Sequence, residues 1–263
     1  MVFQLYPIAE GRISGLMFFL IAIIYTVYYL TTKKVPYIRR VPAIDAIEEG
    51  IGRATELGKP VIASPGMSPR GIDTSTAAGL SILSHASQLA ARNDLKLIAP
   101  LGGSSESYTT MELARDIVES QYRLEGKPEA YNVDNMPFLS GRQFAWASAY
   151  CGLMLREKPA TNIMVGVQYA SAVYISEVAH EVGAMVISGT TYLSNIACLA
   201  ASSDYVMIGE EMLAAGAYLS KDPKQLATIR TQDIMKFVLL GLLGLGVITL
   251  SFGSELIIEL LQS

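Results

Sequence analysis

Three short turns carry the residues best able to do chemistry in this chain of 263 residues. The first is "VIASPGMSPRGIDTS", with Ser64, Gly66 and Asp73. The second is "PLGGSSES", with Gly102, Gly103, Ser104 and Ser105, and the third is "ISGTTY", with Gly189 and Thr190. Each has the composition of a strand running into a helix through small residues. At such a turn the backbone N–H groups converge and the helix dipole favours negative charge, which suits an oxyanion or a small polar ligand. The competing reading is structural: glycines that permit a tight turn, then a capped helix, with Asp73 or Thr74 as the first cap. No GxGxxG and no GxxxxGK[ST] occurs, so neither a dinucleotide fingerprint nor a phosphate loop is present.

Bases and metal ligands are scarce. The chain has two histidines and two cysteines. Cys151 and Cys198 lie in apolar, helix-like surroundings without CxxC spacing, so core packing is expected, with no metal site and no cofactor. His180 sits between Glu177 and Glu181, as on a solvated helix face, and His85 has the setting of a partly buried, hydrogen-bonded side chain. From Glu106 to Glu125 the basic residues are Arg115 and Arg123, whose guanidinium groups stay protonated and cannot act as a base. A nucleophilic Ser104 or Ser105 therefore needs the fold to bring His180 to it.

The elements that position these turns alternate between strand and helix. Short runs at Val61–Ala63, Leu95–Ala99, Ala130–Val133, Ile163–Val167, Ala184–Ser188 and Tyr205–Ile208 are continuously apolar, as in parallel strands covered on both faces. Between them, Ala172, Ile175, Val178, Ala179 and Val182 fall on one helical face, stopped by Gly183, and Thr109 with Glu112 has capping-box spacing. Before them, Ile44, Ile47 and Ile51 form a helical stripe ending at Gly58. In "SGRQFAWASAYCGLML" Phe144 is expected in the core, and Trp146 fits core or subunit interface. The expected architecture is one α/β domain over residues 35–222, a parallel sheet in three layers, Rossmann-like or crotonase-like. In such a fold Ser64, Gly66, Gly102, Gly103, Gly189 and Thr190 share one sheet edge as candidate ligand contacts, with Glu210 and Glu211 as nearby carboxylates.

Hydropathy places this domain between two anchors. "ISGLMFFLIAIIYTVYYL" (13–30) is uncharged and spans about 27 Å as a helix, close to the hydrocarbon thickness of a bilayer. "FVLLGLLGLGVITLSFGS" (237–254) is also uncharged. Residues 1–34 and 223–263 are thus expected to hold two membrane helices. The second is reached by a helix that opens at Asp222-Pro223 and meets no breaker before Gly241. Lys33, Lys34, Arg39 and Arg40 follow the first apolar run and Arg230 and Lys236 precede the second. The positive-inside rule then makes the middle of the chain cytoplasmic and both termini external. The net charge of −4 argues against a nucleic-acid partner.

"IASPGMSPRGIDTSTAAGLSIL" resembles the "INSPGG"-plus-helix oxyanion signature of Clp-type and signal-peptide-peptidase-type serine proteases of the crotonase-like superfamily. Met67 stands where that family has its second glycine. The resemblance implies Ser104 or Ser105 as nucleophile, on the next strand-to-helix turn, and amides near Gly66 as oxyanion donors. As a whole, two terminal anchors around an α/β domain resemble uncharacterised prokaryotic membrane-anchored proteins, a likeness that implies no activity. With no base in sequence reach, the first expectation is a non-catalytic, homo-oligomeric scaffold or subunit of a membrane complex. The alternatives are a membrane-bound serine hydrolase using Ser104 or Ser105 with His180, and a sensor domain for a small polar ligand.

Overall fold

The computed structural model describes residues 12–32, 41–67, 71–103, 108–221 and 223–252. Its helices are α1 (Arg12–Thr32), α2 (Pro42–Leu57), α3 (Thr74–Arg92), α4 (Tyr108–Leu124), α5 (Gln143–Glu157), α6 (Ser171–Glu181), α7 (Leu193–Ser202), α8 (Glu210–Ser220) and α9 (Pro223–Ser251). Its strands are β1 (Val61–Gly66), β2 (Leu97–Ile98), β3 (Leu101–Gly102), β4 (Phe138–Ser140), β5 (Thr161–Val167), β6 (Met185–Thr190) and β7 (Tyr205–Ile208). The chain divides into two compact units, one of residues Ile38–Ser220 and one of Met1–Tyr37 with Lys221–Ser263.

In the Ile38–Ser220 unit, five strands form a parallel sheet in the order β2-β1-β5-β6-β7, and β3 pairs in parallel with β4. Pro100 lacks the N–H that would carry one strand through, so the chain pairs twice, as β2 and again as β3. A bridge from Met67 to Gly102 joins β3 to the end of β1 and makes the small pair a continuation of the sheet. With β2 and β3 counted as one broken strand, the spatial order is 3-2-1-4-5-6, that of doubly wound nucleotide-binding sheets. The expected α/β fold with a parallel sheet is therefore present.

Side chains alternate across the sheet with the two-residue period of a strand. Val61, Ala63, Ile163 and Val165 enter a core shared with α2, α3, α4 and α8, whereas Ile62, Met164 and Val186 enter a second core under α5, α6 and α7. Three layers result, and β5, at the centre, is buried along its whole length. The stripe Ile44, Ile47 and Ile51 on α2 is fully buried. Each of those side chains contributes about 1.5–3 kcal/mol of burial. Gly58, in the left-handed region at φ 62°, ends α2 as expected.

Three local expectations change. The strand expected at Ala130–Val133 is replaced by 3-10 turns at Pro128–Ala130 and Val133–Asn135, and strand pairing waits until Phe138. Pro128 starts the first turn, and the Asn132 side chain accepts from Asp134 N at 2.9 Å, closing a local turn that competes with a ladder. Thr109 is the second residue of α4 and not its cap, and Glu112 instead accepts from Arg115 at 2.8 Å. Phe144, expected in the core, is 76% exposed, while Trp146, open between core and interface, is in the core at 1%.

In the other unit, α1 and α9 pack together. The partly covered side chains of α1, Phe18, Ala22, Tyr25, Thr26 and Tyr29, form one helical stripe, and Thr231, Met235, Val238 and Leu242 form another on α9. The Thr26 and Thr231 hydroxyls meet at 3.0 Å. The helix α9 runs through Gly241 without a break, and it alone among the described residues is long and apolar enough to cross a membrane. The apolar helix Gly15–Thr31 is shorter. Its uncharged run, at about 27 Å, falls just below the roughly 30 Å of a hydrocarbon core.

Candidate functional site: the carboxyl edge of the sheet

Parallel pairing places the ends of β1, β3, β5, β6 and β7 on one edge. Ser64, Gly66, Gly102, Gly103, Gly189 and Thr190 therefore lie on or just inside that edge. Ser104 and Ser105 lie outside the described residues. His180 is on the opposite edge. It sits at the end of α6, where its carbonyl accepts from Gly183 N at 2.9 Å just before β6 begins. The six residues of β6 separate that level from Thr190. At 3.3 Å per residue this is roughly 17 Å. His85 lies in the middle of α3, its Nε2 3.9 Å from Glu48 Oε1.

The fold uses most of the polar groups expected to bind a ligand. Ser64 is fully buried and donates to the Pro100 carbonyl at 3.0 Å. Gly66 N donates to Ser64 Oγ at 3.2 Å, Met67 N to Val167 O at 3.0 Å and Gly103 N to Ser140 O at 3.3 Å. The amides an oxyanion hole would need are thus committed, that of Gly66 to the Ser64 hydroxyl and those of Met67 and Gly103 to carbonyls of neighbouring strands. Thr190 Oγ1 accepts from Tyr192 N at 3.2 Å, and a Cβ at Gly189 would press on Met207 at 3.2 Å.

Two other close approaches explain their glycines by packing. Gly66 has φ 83°, and a Cβ there would stand 2.5 Å from Val167 O, so the β5 backbone lies directly against this glycine. At Gly102 a Cβ would stand 2.5 Å from Trp146 Nε1, so the indole fills the space the glycine leaves.

A web of side-chain bonds ties the carboxyl-edge loops to one another. Asp73 caps α3, its Oδ1 accepting from Thr76 N at 2.7 Å, and its Oδ2 accepts from the Tyr192 hydroxyl at 3.3 Å. Asn195 Nδ2 donates to the Gln168 carbonyl, and Gln143 Nε2 to Ser171 Oγ at 3.3 Å. Gly166 N donates to Met212 Sδ at 3.3 Å, which brings the first turn of α8 to the end of β5. Around this web stand exposed apolar side chains at the starts of helices and the ends of strands: Ile72, Tyr108, Phe138, Phe144, Tyr174 and Leu193.

Three buried polar groups on this side of the sheet, Ser75 Oγ, Thr76 Oγ1 and Trp146 Nε1, have no hydrogen-bond partner, and neither has Asn162 Nδ2 near the amino end of β5. Ser75 and Thr76 lie on the first turn of α3. Trp146 packs edge-on against Tyr150, whose hydroxyl donates to Asn162 Oδ1 at 2.7 Å. Groups of this kind cost free energy unless something pairs with them, and they mark places where a ligand or water is accommodated. Sequence reasoning named none of these four as site residues. Trp146 and Asn162 gain significance from partners or packing far away in sequence, and only Asp73, as a cap, was legible.

In the second core, burial works against ionisation of a thiol and a phenol. Burial pushes the Cys151 thiol up to about 11, and burial, with Cys151 alongside, pushes the Tyr150 hydroxyl up from its ordinary range. Among the described residues no three histidine, cysteine, aspartate or glutamate side chains are grouped to hold a metal ion.

A profile for a domain of unknown function (DUF6754) matches residues 7–261. The chain belongs to that family. No curated protein and no solved structure gives a significant match. For a DUF6754 member, then, the carboxyl edge and its residues are the basis on which function is argued.

Proposed function

We propose that this chain is a non-catalytic, membrane-anchored protein whose α/β domain binds a small ligand at the carboxyl edge of its sheet. The observation that carries the reading is the reversal of strand order between β1 and β5, with the unpartnered hydroxyls of Ser75 and Thr76 on the helix that begins beside it. In open sheets of this order, ligands sit outside the strand ends at the reversal. Fold likeness supplies the place and not the ligand. Catalysis is disfavoured by the committed amides of Gly66, Met67 and Gly103 and by the position of His180 on the other edge. A fluorophosphonate is expected to leave the folded protein unlabelled, and labelling that disappears in Ser104→Ala or Ser105→Ala would restore the hydrolase.

The apolar helix α9 supports one anchor, and the uncharged run at 13–30 supports a second. The basic residues beside both runs favour a cytoplasmic domain with both termini outside. The binding reading is tested by thermal unfolding of the detergent-purified chain against a small-molecule panel. A ligand at a hundred times its Kd adds about 2.7 kcal/mol. A compound that stabilises the wild type and not Thr76→Val supports this edge, whereas stabilisers insensitive to Thr76→Val count against it.

A second reading, a homo-oligomeric scaffold or subunit of a membrane complex, draws support from Phe144 at 76% and Leu193 at 85% exposure on the same edge. Mass photometry in detergent separates the two. A monomer that loses no ligand stabilisation on Leu193→Asp removes the scaffold.

A further inference from the structure

A cavity of about 500 Å³ opens at the amino edge of the sheet, away from the strand ends considered above. Arg53 of α2, His180 at the end of α6, Ala184 and Met185 where β6 begins, and Asp204 and Tyr205 where β7 begins all line it. Its volume falls within the roughly 300–1,000 Å³ of small-ligand pockets. Ala184 and Met185 are buried and give it an apolar floor, and Tyr205 is 37% exposed.

Much of the backbone around this cavity is already bonded. Gly183 N donates to His180 O, Ala184 N to Ala179 O and Met185 N to Ala160 O, each at 2.9 Å, and Asp204 N donates to Val186 O at 3.0 Å. Recognition therefore falls to side chains. Arg53 Nη2 donates to the Gly183 carbonyl at a long 3.4 Å, which leaves most of the guanidinium's donors unused. Asp204 Oδ2 accepts from Val186 N at 2.8 Å and stands 3.4 Å from His180 Nε2, while Oδ1 has no partner among the described residues. The guanidinium and the carboxylate line one cavity and do not pair with each other.

Those two charges decide the chemistry of the ligand. With His180 neutral they sum to zero. A plain anion would be repelled by Asp204 and a plain cation by Arg53. A molecule carrying both signs satisfies both walls, its carboxylate on the guanidinium fork and its ammonium donating to Asp204 Oδ1. The Val186 amide and His180 hold Asp204 in place for it. The floor of Ala184 and Met185, with the Tyr205 ring beside it, suits an uncharged side chain. We infer that this amino-edge cavity binds a free amino acid with an apolar side chain, through Arg53 and Asp204. The site is separate from the carboxyl edge, and neither reading depends on the other.

The test measures thermal unfolding of the full chain in detergent with leucine and with phenylalanine. Their single-charge counterparts run in parallel at equal ionic strength: 4-methylpentanoate and 3-phenylpropanoate lack the amine, and 3-methylbutylamine and phenethylamine lack the carboxylate. Leucine or phenylalanine is expected to raise the midpoint, and the four counterparts to leave it unchanged. Arg53 is exposed and Asp204→Asn keeps an oxygen for Val186 N, so Arg53→Gln and Asp204→Asn both retain the fold. Each is expected to weaken the amino acid by about tenfold, and Thr76→Val to leave it unchanged. Equal stabilisation by an amino acid and a single-charge counterpart overturns the inference. So does stabilisation that is the same in wild type and both variants, and so does the absence of a shift with either amino acid. A shift lost in Thr76→Val but kept in Arg53→Gln overturns it too, and moves the ligand to the carboxyl edge.

Discussion

The two edges of the sheet are built on different terms. At the amino edge several charged and polar side chains are paired, although Asn162 Nδ2, on the second residue of β5, is not. Asp204 accepts from Val186 N at 2.8 Å and faces His180 at 3.4 Å, Lys96 meets Glu157 at 2.7 Å, and Thr161 donates to Gly50 O at 2.8 Å. At the carboxyl edge the backbone is tightly paired, yet exposed rings and unpartnered buried hydroxyls remain. Satisfied polar groups are what stability alone selects, and unsatisfied ones persist where something else uses them. The comparison teaches that the same alternation of strands and helices yields one edge tied by ion pairs and one lined by exposed rings.

The largest perturbation is expected at the seam of the carboxyl edge. In Gly166→Ala the new Cβ would collide with Pro65 O at a residue whose φ is 94°. Overpacking together with left-handed strain predicts a loss of about 3–5 kcal/mol, read as a lowered thermal midpoint or as failure to fold. A wild-type midpoint would break the claim that the seam is rigid.

Next in size is Tyr150→Phe, which strips Asn162 Oδ1 of its donor and should cost about 1–3 kcal/mol. It also tests a pH effect. The Tyr150 hydroxyl is held protonated above its ordinary range while the unfolded chain ionises near 10. The unfolded state thus binds fewer protons there, and stability falls as pH rises past about 10. Tyr150→Phe is expected to flatten that alkaline decline, which a midpoint-versus-pH series measures.

Leu193→Asp and Phe144→Ser sharpen the contrast from the other side. Both residues are exposed, so stability should stay within about 0.5 kcal/mol while any ligand or partner effect at this edge is lost. The smallest effect belongs to the amino edge. Lys96 holds the Glu157 carboxyl below its usual range, so the pair stabilises above the ordinary carboxylate pKa and is lost as pH falls through the depressed one. Lys96→Met should lower stability by under about 1 kcal/mol at neutral pH, an effect that fades as pH falls through the depressed Glu157 pKa. A large change at neutral pH would show that this pair does more than close the fold.

Much of the fold was legible because its signals are local. The isoleucine stripe of α2, the Gly58 stop and the Asp73 cap each involve residues within a few positions of one another, and the continuous apolar runs identified buried parallel strands. The shared edge of the three glycine turns followed from topology alone. The use of each turn did not, because Ser64 spends its hydroxyl on a carbonyl 36 residues away and Tyr192 reaches Asp73 across 119. That Trp146 and not Phe144 enters the core is a matter of helical phase. Two residues apart, they stand about 200° apart around the axis, and aromatic content gives no phase. The run at Leu95–Ala99 was legible, but Pro100 hid its second pairing, β3, which is too short for a periodicity.

The indole that fills the space beside Gly102 belongs to the only tryptophan in the chain. It lies in the second core, edge-on to Tyr150, one glycine away from the turn that carries Ser104. The protein thus contains a built-in optical reporter. Ultraviolet excitation reads a single buried fluorophore whose emission should be blue in the folded chain and red when that layer opens. Because its N–H is unpartnered, a hydrogen-bond acceptor that reaches the turn at Gly102 should shift the spectrum without unfolding anything.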